Sequence, residues 1–130
     1  MSQPRAIVKD QGGIRPGLNA TGTTIAKHRI VKKTTTAVDG ITPHINGTAL
    51  PYGVTMAAIL DGYAGDVQIE GRAICEAGVA VTIGAKITGG TDGKAAIATA
   101  GQYIIGEAAS DASADGQLFE LDLNPGVLPA

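Results

Sequence analysis

Tryptophan is absent, and three tyrosines and one phenylalanine supply every aromatic ring, so the core cannot rest on large aromatic side chains. A single cysteine, Cys75, admits no intramolecular disulfide and excludes a disulfide-stapled scaffold. Nowhere do the roughly 18 consecutive apolar residues of a membrane-spanning helix occur, since glycine and threonine interrupt every uncharged run. The opening MSQPRAIVKDQ carries charge but no apolar stretch of the secretory type, so a protein made inside the cell is expected. What remains is a chain of 130 residues, 44% hydrophobic and only 17% charged, with 19 glycines. Its apolar content is aliphatic, which suits one ordered domain and leaves little room for a second.

The net charge of −2 conceals an asymmetry. Residues 1–33 hold Arg5, Lys9, Arg15, Lys27, Arg29, Lys32 and Lys33 against Asp10 alone, whereas residues 34–130 hold three cations against eleven carboxylates. A basic leading segment ahead of an acidic body points to an acidic partner, or to the acidic body of a neighbouring copy. Nucleic acid is not expected, because no aromatic lies in the basic segment to stack on bases and the body repels phosphate. No membrane partner is expected either.

Residues 1–24 are rich in Gly, Pro, Asn and Thr, which resist helix and offer few core side chains. They read as an extended arm ahead of a β domain over residues 25–130. Ile25 to Val38 is β-branched and closed by Asp39-Gly40, a strand followed by a turn. Turn signals crowd between Ile41 and Gly53, and Val54 to Leu60 reads equally as a short helix or a buried strand. From Val67 to Cys75 apolar and polar residues alternate with period two; Val79, Val81 and Ile83 repeat the pattern. Ala95 to Ala98, Tyr103 to Ala109 and Leu118 to Leu123 complete the series, with Gly- and Asp-Gly-rich joints. Short strands punctuated in this way imply a mainly-β domain, a small barrel or sandwich with at most one short helix. So thin an aliphatic core is expected to gain stability by association.

Catalytic chemistry is hard to find. His28 sits between Lys27 and Arg29, which favour its neutral form, and neither histidine has a partner at metal-ligand spacing. Glu76 beside Cys75 discourages a thiolate, so Cys75 reads as a small apolar strand residue. Gly89 to Ala95 imitates a phosphate loop, but the glycine spacing is short and Ala95 stands where a hydroxyl is needed. Asp111, Ser113, Asp115 and Asp122 imitate a calcium loop, yet the last ligand is Asp rather than Glu and the flanks read as strands, so an Asp-Gly turn is preferred. Asn19-Ala-Thr21 and Asn46-Gly-Thr48 match a glycosylation sequon and are read as turns. No catalytic residue, metal or cofactor is expected.

The run from Gly71 onward, GRAICEAGVAVTIGAKITGGTDGKAAIATAGQYIIGEAASDASADGQLFELDL, resembles the capsid decoration (cement, or head-stabilising) proteins of tailed bacteriophages. The matching positions are Ala77-Gly78, Gly84 to Thr88, Asp92-Gly93, Ala98 to Gly101, Ile104 to Ala108 and Asp115 to Leu123, about half of the chain. The resemblance implies a small, tulip-like β body without enzymatic activity or cofactor. It further implies a homotrimer on the outer capsid surface of the virion, synthesised in the host cytoplasm, binding the major capsid protein and stabilising the head against packaged DNA.

Independently of any family, an extended arm can add a strand to an exposed sheet edge. In that role Ile7, Val8, Ile14 and Leu18 fill shallow pockets while Arg5, Lys9 and Arg15 meet acidic rim groups, and Lys27, Arg29, Lys32 and Lys33 are further candidate subunit or capsid contacts. Exposed ion pairs contribute only about 0–1 kcal/mol each, so burial and backbone pairing must dominate, multiplied by effective concentration across a trimer. Two rival readings stand beside this one. A biotinyl- or lipoyl-type carrier would display Lys86, and another virion part would be a fibre or tail component.

Overall fold

The computed structural model describes residues 13–129. Ten strands divide into a closed barrel and a five-stranded sheet. The barrel is built from β1 (Ile14–Asn19), β2 (Ile30–Lys33), β3 (Gly40–Pro43), β4 (Gly53–Thr55) and β5 (Ala64–Gln68), in the order β1-β3-β2-β4-β5. The antiparallel pairing of β1 with β5, from Ile14 opposite Gln68 to Leu18 opposite Ala64, closes it. The second sheet contains β6 (Gly71–Glu76), β7 (Lys86–Gly89), β8 (Ala95–Ile97), β9 (Tyr103–Ala108) and β10 (Leu118–Val127), in the order β6-β10-β9-β7-β8. The mainly-β class is therefore as the turn spacing implies. Among the described residues the helical content is a single 3-10 turn at Thr91–Gly93, centred on Asp92 with φ +56°.

Five strands enclose only enough space for side chains. Ile25, Val31, Ile41, Ile59 and Val67 fill it, with Tyr52 and Ile69 packed against them. The second core is a layer of small residues, including Ala73, Cys75, Ala77, Ala95 and Ala108, around Ile87, Ile105, Phe119 and Leu121. Ile30 and Val54 from the barrel belong to this second core, so the two units share one apolar seam. Alternation along β2 explains this: Val31 points into the barrel and Ile30 outward onto the sheet.

Several sequence expectations are corrected here. Residues 14–19 are not part of an arm, because β1 is the strand that closes the barrel, and the boundary expected at residue 24 does not follow the fold. Residues 1–12, with Arg5, Ile7, Val8 and Lys9, lie outside the described residues. The long strand expected over Ile25 to Val38 is interrupted. Ile25 forms an isolated bridge with Ile59, His28 adopts φ +65°, and only Ile30–Lys33 is a strand. The ambiguous Val54 to Leu60 contributes a strand end and then bends.

The alternation from Val67 to Cys75 spans two strands in different sheets, joined where Gly71 takes φ +84°, which l-side chains rarely adopt. Val79 to Ile83 is not a strand; Val81 makes one bridge, to Ala112. β10 runs on past Leu123 to Val127, with a register shift between Leu123 and Gly126. Pro125, which cannot donate to a ladder, sits inside that irregularity.

Candidate binding surface

The cations separate into two groups by their partners. Arg72 reaches Asp122 at 2.8 Å and Glu120 at 3.3 Å, Lys86 pairs with Glu107, and Lys94 bridges Asp115 at 3.1 Å and Glu76 at 3.7 Å. All three lie on or beside the second sheet. Arg15, Lys27, Lys32 and Lys33, by contrast, have no ion pair among the described residues, and all four belong to the barrel or the loop leading into β2.

Arg29 does not take the contact role expected of it. Its side chain is only 10% exposed, and its guanidinium donates to Glu76 Oε1 at 2.6 Å and to the Lys27 carbonyl at 3.3 Å. A guanidinium so placed ties the loop before β2 to the end of β6. It is an internal fastener and leaves no charge for a partner.

Lys32 and Lys33 end β2 with side chains on opposite sides of the strand. The Lys33 ammonium lies 4.9 Å from the centre of the Tyr52 ring, within cation–π range. The Tyr52 hydroxyl is raised above its ordinary pKa by burial and by the nearby Asp39 carboxylate, with Arg15 acting in the opposite sense. Two open cavities flank the lysine pair. One, of about 500 Å³, is walled by Thr21, Thr34, Thr35, Thr36 and Thr42; the other, of about 440 Å³, by Ala49, Leu50, Pro51 and Tyr52. Leu50 is 57% exposed at the rim. The surface thus joins unpaired cations to hydroxyls on one side and an apolar shoulder on the other. Of the former arm candidates, Arg15 is exposed beside this surface, while Ile14 and Leu18 are half-buried in β1.

The remaining chemical candidates have structural partners. His44 is fully buried; its Nδ1 accepts the Gly89 N–H at 3.1 Å and its Nε2–H donates to the Ala49 carbonyl at 2.6 Å. Burial holds its pKa below the ordinary value, despite the Ala49 carbonyl favouring the charged form. His28 is also held low, by burial and by Lys27. Cys75 is buried on β6 with its thiol pushed up to about 12 by that burial, which suits a small apolar residue. Asp111 accepts the Ile83 N–H while Asp115 meets Lys94, so these carboxylates serve separate partners around the turn at Gly116. Lys86 lies within β7 against Glu107, not at the hairpin tip where a carrier displays its lysine.

Sequence reasoning missed Leu50, Pro51 and Tyr52 as part of any surface. They lie in a stretch dense in turn signals, and only the pairing of β2 with β4 brings them beside Lys32 and Lys33.

Neither a family model nor a curated protein matches the chain. Among solved structures, the fold is similar to the N base of head fiber gp8.5 in bacteriophage phi29. The TM-score is 0.69 at 20% sequence identity, over 85% of this chain and 92% of that one. At that identity the likeness establishes the fold.

Proposed function

We propose that this chain is a structural protein of a tailed-phage head, displayed on the outer surface of the shell as a homotrimer and bound to the major capsid protein. The observation that carries the reading is the fold shared with the base of a phage head fiber over 92% of that base. The small-residue pattern from Gly71 onward, similar to head decoration proteins, supports the same assignment. So does a surface whose chemistry suits adhesion: free cations and exposed aliphatics beside a rigid pair of sheets. Attachment uses the basic residues 1–12, with Arg5 and Lys9 pairing acidic groups and Ile7 and Val8 covering apolar ones. Lys27, Lys32 and Lys33 add contacts from the barrel.

Deleting residues 2–12 leaves β1 intact and tests the arm. The truncated protein is expected to fold, to keep its oligomeric state in analytical ultracentrifugation, and to lose occupancy on expanded heads viewed by cryo-microscopy. Full occupancy of heads by the truncated protein refutes the arm.

A second reading, the base of a head fiber rather than a cement protein, is favoured specifically by the gp8.5 likeness. The same reconstructions separate the two. A fiber base leaves density projecting beyond the β domain, whereas a cement protein bridges neighbouring capsomers.

A further inference from the structure

We infer that the groove around Lys32 and Lys33 is a docking site for an extended acidic peptide segment of a partner protein, anchored by at least one apolar side chain. The inference deepens the head-surface reading, because it names the chemistry a shell protein must present to the barrel.

Four observations converge on it. The cations of the second sheet have carboxylate partners, whereas Lys32 and Lys33 beside Tyr52, and Arg15 near it, form no ion pair among the described residues. Both lysines line both cavities at the end of β2, so a ligand several residues long that passes from one cavity to the other meets one ammonium group on each side of the strand. β3 pairs with Lys32 and Lys33 on one side of β2, and on the other the Tyr52 N–H donates to the Val31 carbonyl where Leu50 to Tyr52 run alongside, so a ligand here is held chiefly by side chains. Finally, Leu50, Pro51 and Tyr52 form an apolar wall beside the charges. A simple polyanion leaves that wall wet, whereas a peptide with an apolar residue among its carboxylates covers it.

Fluorescence anisotropy with a short labelled peptide alternating glutamate and leucine tests the groove. A lysine–leucine peptide and inorganic polyphosphate serve as controls, with the full chain as receptor. The acidic peptide is expected to bind saturably and the lysine peptide not at all. Affinity is expected to fall about tenfold or more in the K32E/K33E variant, and to weaken as salt rises from about 50 to about 200 mM. Leu50→Ser, at an exposed position where folding is undisturbed, is expected to weaken binding several-fold, about the worth of one covered aliphatic contact. No binding, or K32E/K33E binding as tightly as wild type, overturns the proposal. Polyphosphate binding as tightly as the peptide, with Leu50→Ser silent, overturns it in favour of a polyanion groove. Head occupancy of the 2–12 deletion and peptide binding at the groove can each fail alone, which keeps the two readings distinguishable.

Discussion

Replacing His44 by alanine tests how the barrel is held to the second sheet. The imidazole follows β3 directly, yet its Nδ1 accepts from Gly89 in β7, and its Nε2–H donates to the Ala49 carbonyl. Truncation leaves the Gly89 N–H and the Ala49 carbonyl without their partner; each such orphan costs about 1–3 kcal/mol, and the lost ring leaves a cavity besides. The expected total is about 3–5 kcal/mol, a large part of the roughly 5–15 kcal/mol that stabilises an ordinary domain.

Urea unfolding at about pH 7.5 measures it, with the slope checked so that a shifted midpoint reports stability. The same residue sets a pH dependence. Its folded pKa lies below the ordinary 6.5, so its stabilisation is complete above that value and declines as pH falls through the folded pKa. One such group contributes at most about 1.4 kcal/mol per pH unit. His44→Gln does not titrate and should flatten the decline, leaving the share that belongs to His28, whose pKa is lowered in the same direction. A loss below about 1 kcal/mol for His44→Ala, or an unchanged pH slope in His44→Gln, refutes the reasoning.

Gly89→Ala attacks the same contact from the other side. A Cβ there would stand 1.9 Å from the His44 carbonyl oxygen and 2.4 Å from Nδ1, so backbone must shift, at an expected cost of about 3 kcal/mol in urea unfolding. Glu76→Ala leaves the buried Arg29 guanidinium with only the exposed Asp92 carboxylate, 3.7 Å from its Nε, and is expected to cost about 3 kcal/mol, whereas the double change to Arg29→Met with Glu76→Leu recovers most of that loss in the same assay. Equal losses from the single and double variants would show that the ion pair itself stabilises the fold.

Part of the fold was legible because local chemistry speaks for it. The strands at Ala95–Ile97, Tyr103–Ala108 and the start of Leu118–Val127 follow from β-branched runs between Gly-rich joints, and the Asp-Gly turns fall where expected. Less legible was whatever depended on distant partners. Period-two alternation from Val67 to Cys75 looks the same whether the chain continues in one sheet or crosses to another, so the break at Gly71 was hidden. The Gly- and Pro-rich stretch 14–19 contributes little apolar surface of its own and was read as arm, although its backbone closes the barrel against β5.

By itself, then, the sequence determined the all-β class, the aliphatic and alanine-rich core, and the concentration of cations in the first 33 residues, since composition and local periodicity depend on no remote contact. Only the tertiary structure decided which of those cations face outward. Arg29 and Lys32 stand three residues apart in the same basic run. Folding places Glu76 against the first and open cavities beside the second. A buried charge must find a counter-charge or pay heavily in desolvation, and whether a residue is buried is settled by the strands that pack around it.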